Sequence, residues 1–255
     1  MKKIGVLLYR HHLMMRKNGM MGIAVVVLTC LIAWLVVLSA RFGNIAKFYG
    51  EDAADAIGSI SDYFTYVVAY VALGIGCSEM SWKGDCESGW ARYIMTMPVT
   101  PLDRSAAVSL YKLIRLAAMF GFAYLNAFLL SCFSGTSLGE HFGSNLLLMA
   151  AVVLLMYSFQ DICVSFARDQ KSFQKYITVY NGILVALMLG ITLYVMFTMT
   201  QTVTGLAEED DLSALINFFQ PYLDRMYALS LPLLIAAAAI MFFGIWFGLS
   251  RRENQ

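Results

Sequence analysis

Residues that could carry bond-making chemistry are sparse in this chain of 255 residues. The three histidines are His11, His12 and His141, and all lie outside the long apolar runs. Serine, threonine and tyrosine are frequent within those runs, but none has beside it the histidine base that an activated nucleophile normally needs. The sequence contains no HExxH motif, no CxxC motif and no GxxxxGK[ST] phosphate-binding loop. We therefore expect that this chain is not an enzyme, binds no metal or cofactor and cannot hydrolyse ATP unaided.

Four ionisable residues fall within or at the ends of apolar runs, where an unpaired charge is costly. Glu79 ends the second run and Asp161 lies in the fourth. Lys112 and Arg115 share one face of the third run at i, i+3. We predict that at least one of these acids pairs with one of these bases and so joins the second, third and fourth runs. The alternative is that the two cations extend to the lipid headgroups.

Tyrosines form a stripe along the second run and recur in the fifth. Tyr66 and Tyr70 lie one helical turn apart, and Tyr180 lies in the fifth run. Their hydroxyls are deep enough in the apolar runs to need a hydrogen-bond partner or water. Two interpretations stay open: the hydroxyls line a cargo path or a subunit interface, or they bond to other groups inside a packed bundle.

The elements that must position these residues are long apolar helices. The chain is 60% hydrophobic and only 14% charged, and runs of about 18 or more apolar residues predict transmembrane helices. Six such runs occur, at about 20–40, 60–80, 106–133, 145–167, 177–200 and 229–250. We predict an all-α membrane protein with six transmembrane helices, forming a single transmembrane domain over 1–255.

Three shorter segments complete the predicted architecture. Residues 1–18 alternate basic and apolar side chains, which favours a helix lying in the membrane interface over an ordinary basic flank. Residues 81–105 form the longest polar interruption on the basic side of the chain. Residues 201–228 are acidic with some helical spacing, which predicts one or two short helices on the outer side rather than a loose loop.

The distribution of positive charge predicts the orientation. Fifteen of the 18 Lys and Arg residues fall on the side that holds the N-terminus, the loops after the second and fourth runs, and the C-terminus. Only Arg41, Lys47 and Arg225 fall on the other side. Because short cytoplasmic loops carry the excess of Lys and Arg, both termini are predicted to be cytoplasmic.

The centre of segment 81–105 has the spacing of a short amphipathic helix. Its apolar positions recur at i, i+3, i+4 and i+7, in the order Trp90, Tyr93, Ile94 and Met97. Pro98 then ends the pattern, because proline cannot continue the helical ladder. We interpret this helix, which also carries Arg92, as a docking element for a soluble partner.

This stretch resembles the permease subunits of ABC-2 type exporters. The residues that carry the resemblance are Glu79, Gly89, Trp90, Tyr93, Pro98, Val99, Arg104, Tyr111 and Lys112. The sequence Trp-Ala-Arg-Tyr-Ile-Met-Thr-Met-Pro is most similar to permeases of small bacterial peptide exporters, such as those that export phenol-soluble modulins. The chain departs from that pattern at 84–87, where it carries more acid than the family would lead us to expect.

The resemblance implies a partner set and a mechanism. Two permease subunits, identical or different, would pair in the lipid bilayer of a bacterial plasma membrane, and each would engage a cytoplasmic ATPase subunit that binds ATP and Mg²⁺. The residues Trp90, Arg92, Tyr93, Ile94, Met97 and Pro98 would form the coupling helix. The expected cargo is an amphipathic peptide, with no role for nucleic acid. The alternatives are an ion-coupled secondary transporter and a membrane-bound immunity or signalling partner.

Overall fold

The computed structural model describes residues 2–43, 53–78, 81–88, 90, 99–139, 141–206, 221 and 224–253. Within these ranges the chain is helical and has no strand. Its helices are α1 (Lys2–Phe42), α2 (Ala53–Cys77), α3 (Ser81–Glu87), α4 (Pro101–Ser134), α5 (Phe142–Ser165), α6 (Gln170–Leu206) and α7 (Ser230–Glu253).

Six helical stretches of the described chain are long and apolar enough to cross a membrane. They are Gly19–Phe42, Ala56–Glu87, Pro101–Ser134, Phe142–Ser165, Gln170–Tyr194 and Ser230–Arg252. Each overlaps one of the six predicted runs. The prediction of an all-helical, multi-pass membrane protein is therefore confirmed.

Local sequence signals set the ends of α4. The Thr100 hydroxyl accepts a hydrogen bond from the Asp103 backbone N–H at 3.2 Å, and the Asp103 carboxylate accepts one from the Thr100 backbone N–H at 3.4 Å. This capping box, with Pro101 in the first turn, starts the helix five residues before the predicted apolar run. At the other end Gly135 adopts a left-handed conformation with φ 75°, which glycine allows without steric cost.

The structure differs from the prediction at two helix boundaries. Helix α1 runs without a break from Lys2 to Phe42, so no helix boundary separates the predicted segment 1–18 from the first span. No proline lies between the two parts to interrupt the ladder. Helix α6 continues to Leu206, six residues into the predicted outer segment 201–228, of which 207–220, 222 and 223 lie outside the described residues.

Helices α2, α4, α5 and α7 build the core of the bundle, with α1 packed on α2 and α4. The tightest contact joins α5 to α7: a Cβ added at Gly244 would overlap the Ile162 side chain, and one added at Gly248 would overlap Ser165. The two glycines thus serve packing within one chain. Helix α6 lies at the edge of the bundle against α5 and α3, and its apolar side chains are mostly exposed.

Candidate functional site

The start of α1, helix α3, the start of α4 and the end of α7 meet at one end of the bundle, which we call the termini end. Trp90 and Val99, the described residues on either side of segment 91–98, lie at this end. Among the six predicted coupling residues, Trp90 is described, whereas Arg92, Tyr93, Ile94, Met97 and Pro98 lie outside the described residues, as does Glu79.

Both flanks of segment 91–98 pack into one small apolar cluster at the termini end. Leu7 of α1 and Ala107 of α4 are buried at its centre, and Ile4, Trp90 and Val99 pack against them. We call these five residues the Leu7 cluster. Trp90 and Val99 are therefore held against the same two helices.

Arg10 links this cluster to helix α3. Its guanidinium lies over the Trp90 ring, 4.6 Å from the ring centroid, in a cation–π contact. The same guanidinium forms an ion pair with Asp85 of α3, a carboxylate that is buried. The sequence placed Arg10 among the basic residues of segment 1–18 and Asp85 in an unexpectedly acidic stretch, but it did not predict that the two pair. The available signal was that Asp85 shares a short segment with the apolar residues Trp82 and Cys86.

His11 is buried next to this ion pair. Its ring stacks on Tyr111 with 6.1 Å between the ring centroids. Burial, reinforced by the neighbouring positive charge of Arg10, lowers the pKa of His11 to about 4, and the Asp85 carboxylate opposes this only in part. The imidazole is therefore neutral at pH 7.

Lys112 and Asp161 are brought together inside the bundle. Lys112 Nζ of α4 forms an ion pair with Asp161 Oδ2 of α5, and the ammonium also lies 5.9 Å from the centroid of the Tyr157 ring. Both side chains are buried, so Lys112 does not extend to the headgroups. The structure thus joins the third and fourth spans, two of the three that the predicted pairing was to connect.

Arg115 contacts the end of α2. Its guanidinium donates hydrogen bonds to the backbone carbonyls of Ser78 at 2.6 Å and Ile75 at 2.5 Å. These carbonyls belong to the last turn of α2 and the residue after it, where a helix has no intrahelical donors left. A cation at the C-terminal end of a helix also interacts favourably with the helix dipole. Arg115 therefore ties α4 to the end of α2.

The three tyrosines differ in their surroundings: some bond inside the bundle, and some face an open volume. The Tyr66 hydroxyl accepts a hydrogen bond from Asn145 Nδ2 at 3.1 Å inside the bundle. The Tyr180 hydroxyl donates to the Met156 carbonyl at 2.9 Å, yet its side chain also lines a cavity together with Tyr70. Tyr66 thus has a packing role, whereas Tyr70 and Tyr180 face a shared open volume.

That cavity, which we call the tyrosine cavity, has a volume of about 490 Å³ and lies among α1, α2, α5 and α6. Most of its wall is apolar. Its polar groups come from Tyr70, Tyr157, Gln160, Tyr180 and Asn181. A largely apolar cleft with a few hydroxyl and amide groups can hold a ligand that is itself partly apolar.

No three His, Cys, Asp or Glu side chains of the described ranges are grouped so that they could hold a metal ion. What the described residues offer is the Leu7 cluster at the termini end, a buried ion pair and an apolar cavity. Comparison of the chain with models of protein families, with curated proteins and with solved structures gives no match.

Proposed function

We propose that this chain is the transmembrane subunit of an ATP-driven ABC exporter that moves amphipathic peptides out of a bacterial cell. It would work in the plasma membrane with a second permease subunit and a separate cytoplasmic ATPase, and its termini end would face the cytoplasm. The observation that carries the proposal is the Leu7 cluster, in which Trp90 and Val99 hold both flanks of segment 91–98 against α1 and α4.

A coupling segment transmits motion only when its base is fixed to the helices that must move. Here the base has several attachments besides the cluster. Arg104 Nη2 donates to the Val99 carbonyl at 3.1 Å, and the Thr100 capping box begins α4 immediately afterwards. Arg10 connects Trp90 to Asp85 of α3. A rigid-body displacement of the segment would therefore move α1, α3 and α4 together.

The buried ion pair extends this connection into the bundle. Lys112 lies about three turns into α4, and its bond to Asp161 joins α4 to α5. Helix α5 in turn packs tightly against α7 through Gly244 and Gly248. Motion that begins at the foot of α4 would thus be passed to α5, which lines the tyrosine cavity.

The lining of the tyrosine cavity supports an amphipathic peptide as the cargo. Its wall is mainly apolar, and its polar groups are neutral hydroxyls and amides rather than charges. A small hydrophilic ion would gain little from such a lining, whereas an amphipathic peptide could place apolar side chains on the wall and backbone groups on the hydroxyls.

The test is to isolate the tagged chain from its native membrane, measure ATPase activity in the isolate, and assay ATP-dependent peptide uptake into inside-out vesicles. The double variant Trp90→Ala/Tyr93→Ala should lose both the bound ATPase and the uptake. Phe42→Ala removes an exposed aromatic side chain at the opposite end of α1 and should retain both. An isolate without ATPase activity, or a double variant that behaves like the control, would reject the proposal.

A second candidate is an ion-coupled carrier, and the specific observation in its favour is the buried Lys112–Asp161 pair. Intramembrane charges often mark ion pathways in transporters. Such a carrier would accumulate peptide in ATP-free vesicles under a proton or sodium gradient. Uptake that depends on the gradient and is insensitive to ATP would favour this candidate over the exporter.

A further inference from the structure

A groove lies where α1, α2 and α4 meet, near the termini end. It has a volume of about 320 Å³ and is partly open to the surface. Its wall is mainly apolar, and its polar groups come from Ser78 and Arg115. We call it the Arg115 groove. Neither the Leu7 cluster nor the Lys112–Asp161 pair contributes to its lining.

The guanidinium of Arg115 is fixed at the wall of this groove. Two of its N–H groups donate to the carbonyls of Ser78 and Ile75, and its Cζ lies 5.8 Å from the centroid of the Tyr111 ring. Carbonyls and an aromatic ring are neutral, so these contacts orient the guanidinium and leave its positive charge in place. Among the described residues, no carboxylate forms an ion pair with Arg115. Its other N–H groups can therefore donate to an anion in the groove.

The groove lies at the depth where phospholipid headgroups give way to acyl chains. The first candidate span begins at Gly19, so Met15 lies before the span and Val25 lies inside it, and both line the groove. On α2 the lining residues are Ile75 in the last turn and Ser78 just after the helix. The volume of the groove exceeds the roughly 300 Å³ at which small-molecule sites begin, so part of an acyl chain fits.

We propose that the Arg115 groove binds an anionic phospholipid from the leaflet at the termini end. The headgroup phosphate accepts hydrogen bonds from Arg115, and one acyl chain lies along the apolar wall between α1 and α2. Bonds between guanidinium and phosphate are charge-assisted and therefore stronger than bonds between neutral groups. A zwitterionic headgroup is disfavoured, because its own cation would lie near the guanidinium and repel it.

The charge of Arg115 separates this ligand from the cargo proposed above. The groove and the tyrosine cavity share Val25 and Ile75 in their walls, so the two sites are neighbours. The polar groups of the tyrosine cavity are neutral, whereas the groove presents a cation. A lipid with a net negative headgroup complements the groove in both charge and apolar surface.

The first test concerns the charge. Native mass spectrometry of the full chain in detergent gives Kd values for phosphatidylglycerol and for phosphatidylcholine, and thermal unfolding verifies that each variant is folded. We expect phosphatidylglycerol to bind about tenfold more tightly, and Arg115→Gln to abolish that preference. Arg16→Gln is the matched control. It removes the same charge from an exposed residue of α1 next to Met15, outside the groove, and should retain the preference.

The second test concerns the apolar wall and leaves Arg115 in place. Met21 is 74% exposed and lines the groove, whereas its neighbour Met20 is 65% exposed and does not. Met21→Trp fills part of the groove and should weaken the binding of both lipids about fivefold, because fewer methylene groups of the acyl chain are buried. Met20→Trp places the same ring outside the groove and should bind both lipids like the unaltered chain.

Equal Kd values for the two lipids in the unaltered chain would mean annular lipid only and would overturn the proposal. A preference that survives in folded Arg115→Gln, an equal loss of preference in Arg16→Gln, or equal binding by the two tryptophan variants would overturn it as well. Where Arg115→Gln does not fold, the tryptophan pair decides. The measurements need neither ATPase nor cargo, so their outcome is independent of the proposed export function.

Discussion

Lys112 and Asp161 form an ion pair in which the two side chains are only 1% and 3% exposed. The pair joins the first third of α4 to the end of α5. Removing two charges from water is expensive, and their attraction offsets that cost only while both partners are present. Removing one partner would therefore take an opposite charge away from a side chain that stays buried inside the bundle.

We first predict that breaking this pair from one side destabilises the protein strongly. Asp161→Asn should lower the free energy of unfolding by about 3–5 kcal/mol, because it removes the carboxylate charge that faces the buried Lys112 ammonium. The double variant Lys112→Met/Asp161→Leu should recover most of the loss, since it buries no charge. Unfolding in detergent by heat or denaturant measures both effects.

The exposed pair Lys83–Glu87 provides the control for that experiment. Its charged atoms are 3.8 Å apart and both side chains are about half exposed. Solvent screening makes such a pair worth about 0–1 kcal/mol, so Lys83→Met should change stability little. If Asp161→Asn cost no more than Lys83→Met, the buried pair would not hold α4 to α5.

The contact between α5 and α7 gives the second prediction. Gly248→Ala should destabilise the bundle by about 1–3 kcal/mol, because its Cβ would overlap the Ser165 side chain. Adding Ser165→Ala should recover part of that loss by removing the hydroxyl. Gly182→Ala in α6 is the matched control, since nothing lies within 4 Å of the added Cβ. The control should be neutral or stabilising by up to about 1 kcal/mol, and equal melting temperatures for the two alanine variants would contradict the prediction.

The two tyrosines of α2 give the third prediction, which rests on the proposed export function. Tyr66→Phe should lower stability by about 1 kcal/mol through loss of the bond to Asn145, and should leave peptide uptake unchanged. Tyr70→Phe removes a hydroxyl that lines the tyrosine cavity from a residue 52% exposed, so it should reduce uptake about fivefold with little change in melting temperature. The reverse pattern of effects would place the cargo elsewhere.

Much of the fold could be predicted from the sequence because apolar run length is a local property. The six spans, and the need of Lys112 and Asp161 for partners in an apolar run, follow from the cost of exposing polar groups to lipid. The residue at which α4 begins was harder to predict, because the Thr100 capping box starts the helix before its apolar part. The continuity of α1 through 17–20 depends on the absence of a strong helix breaker rather than on any positive signal.

The candidate sites were harder to predict because they depend on how helices rotate and pack. Arg10 and Asp85 are 75 residues apart in the chain, and no local pattern relates them. Arg115 bonds to backbone carbonyls because the end of α2 lies next to it, although its charge pattern suggested an acid as partner. Tyr66 and Tyr70 are one turn apart yet have different surroundings. This difference depends on the positions of the neighbouring helices, so the sequence of α2 alone could not predict it.

The last prediction concerns acid stability and His11. Its pKa is lowered to about 4 in the folded chain, mainly by burial, whereas the unfolded chain should titrate near 6.5. The unfolded state therefore takes up the proton first, so stability is complete above pH 6.5 and is lost as the pH falls towards 4, by up to about 3 kcal/mol. His11→Phe keeps a ring stacked on Tyr111 and should flatten this part of the profile. His12→Phe alters an exposed histidine and should retain the slope. Unfolding measured from pH 7.5 to 4 in detergent separates the two variants, and equal slopes would show that His11 is not the group responsible.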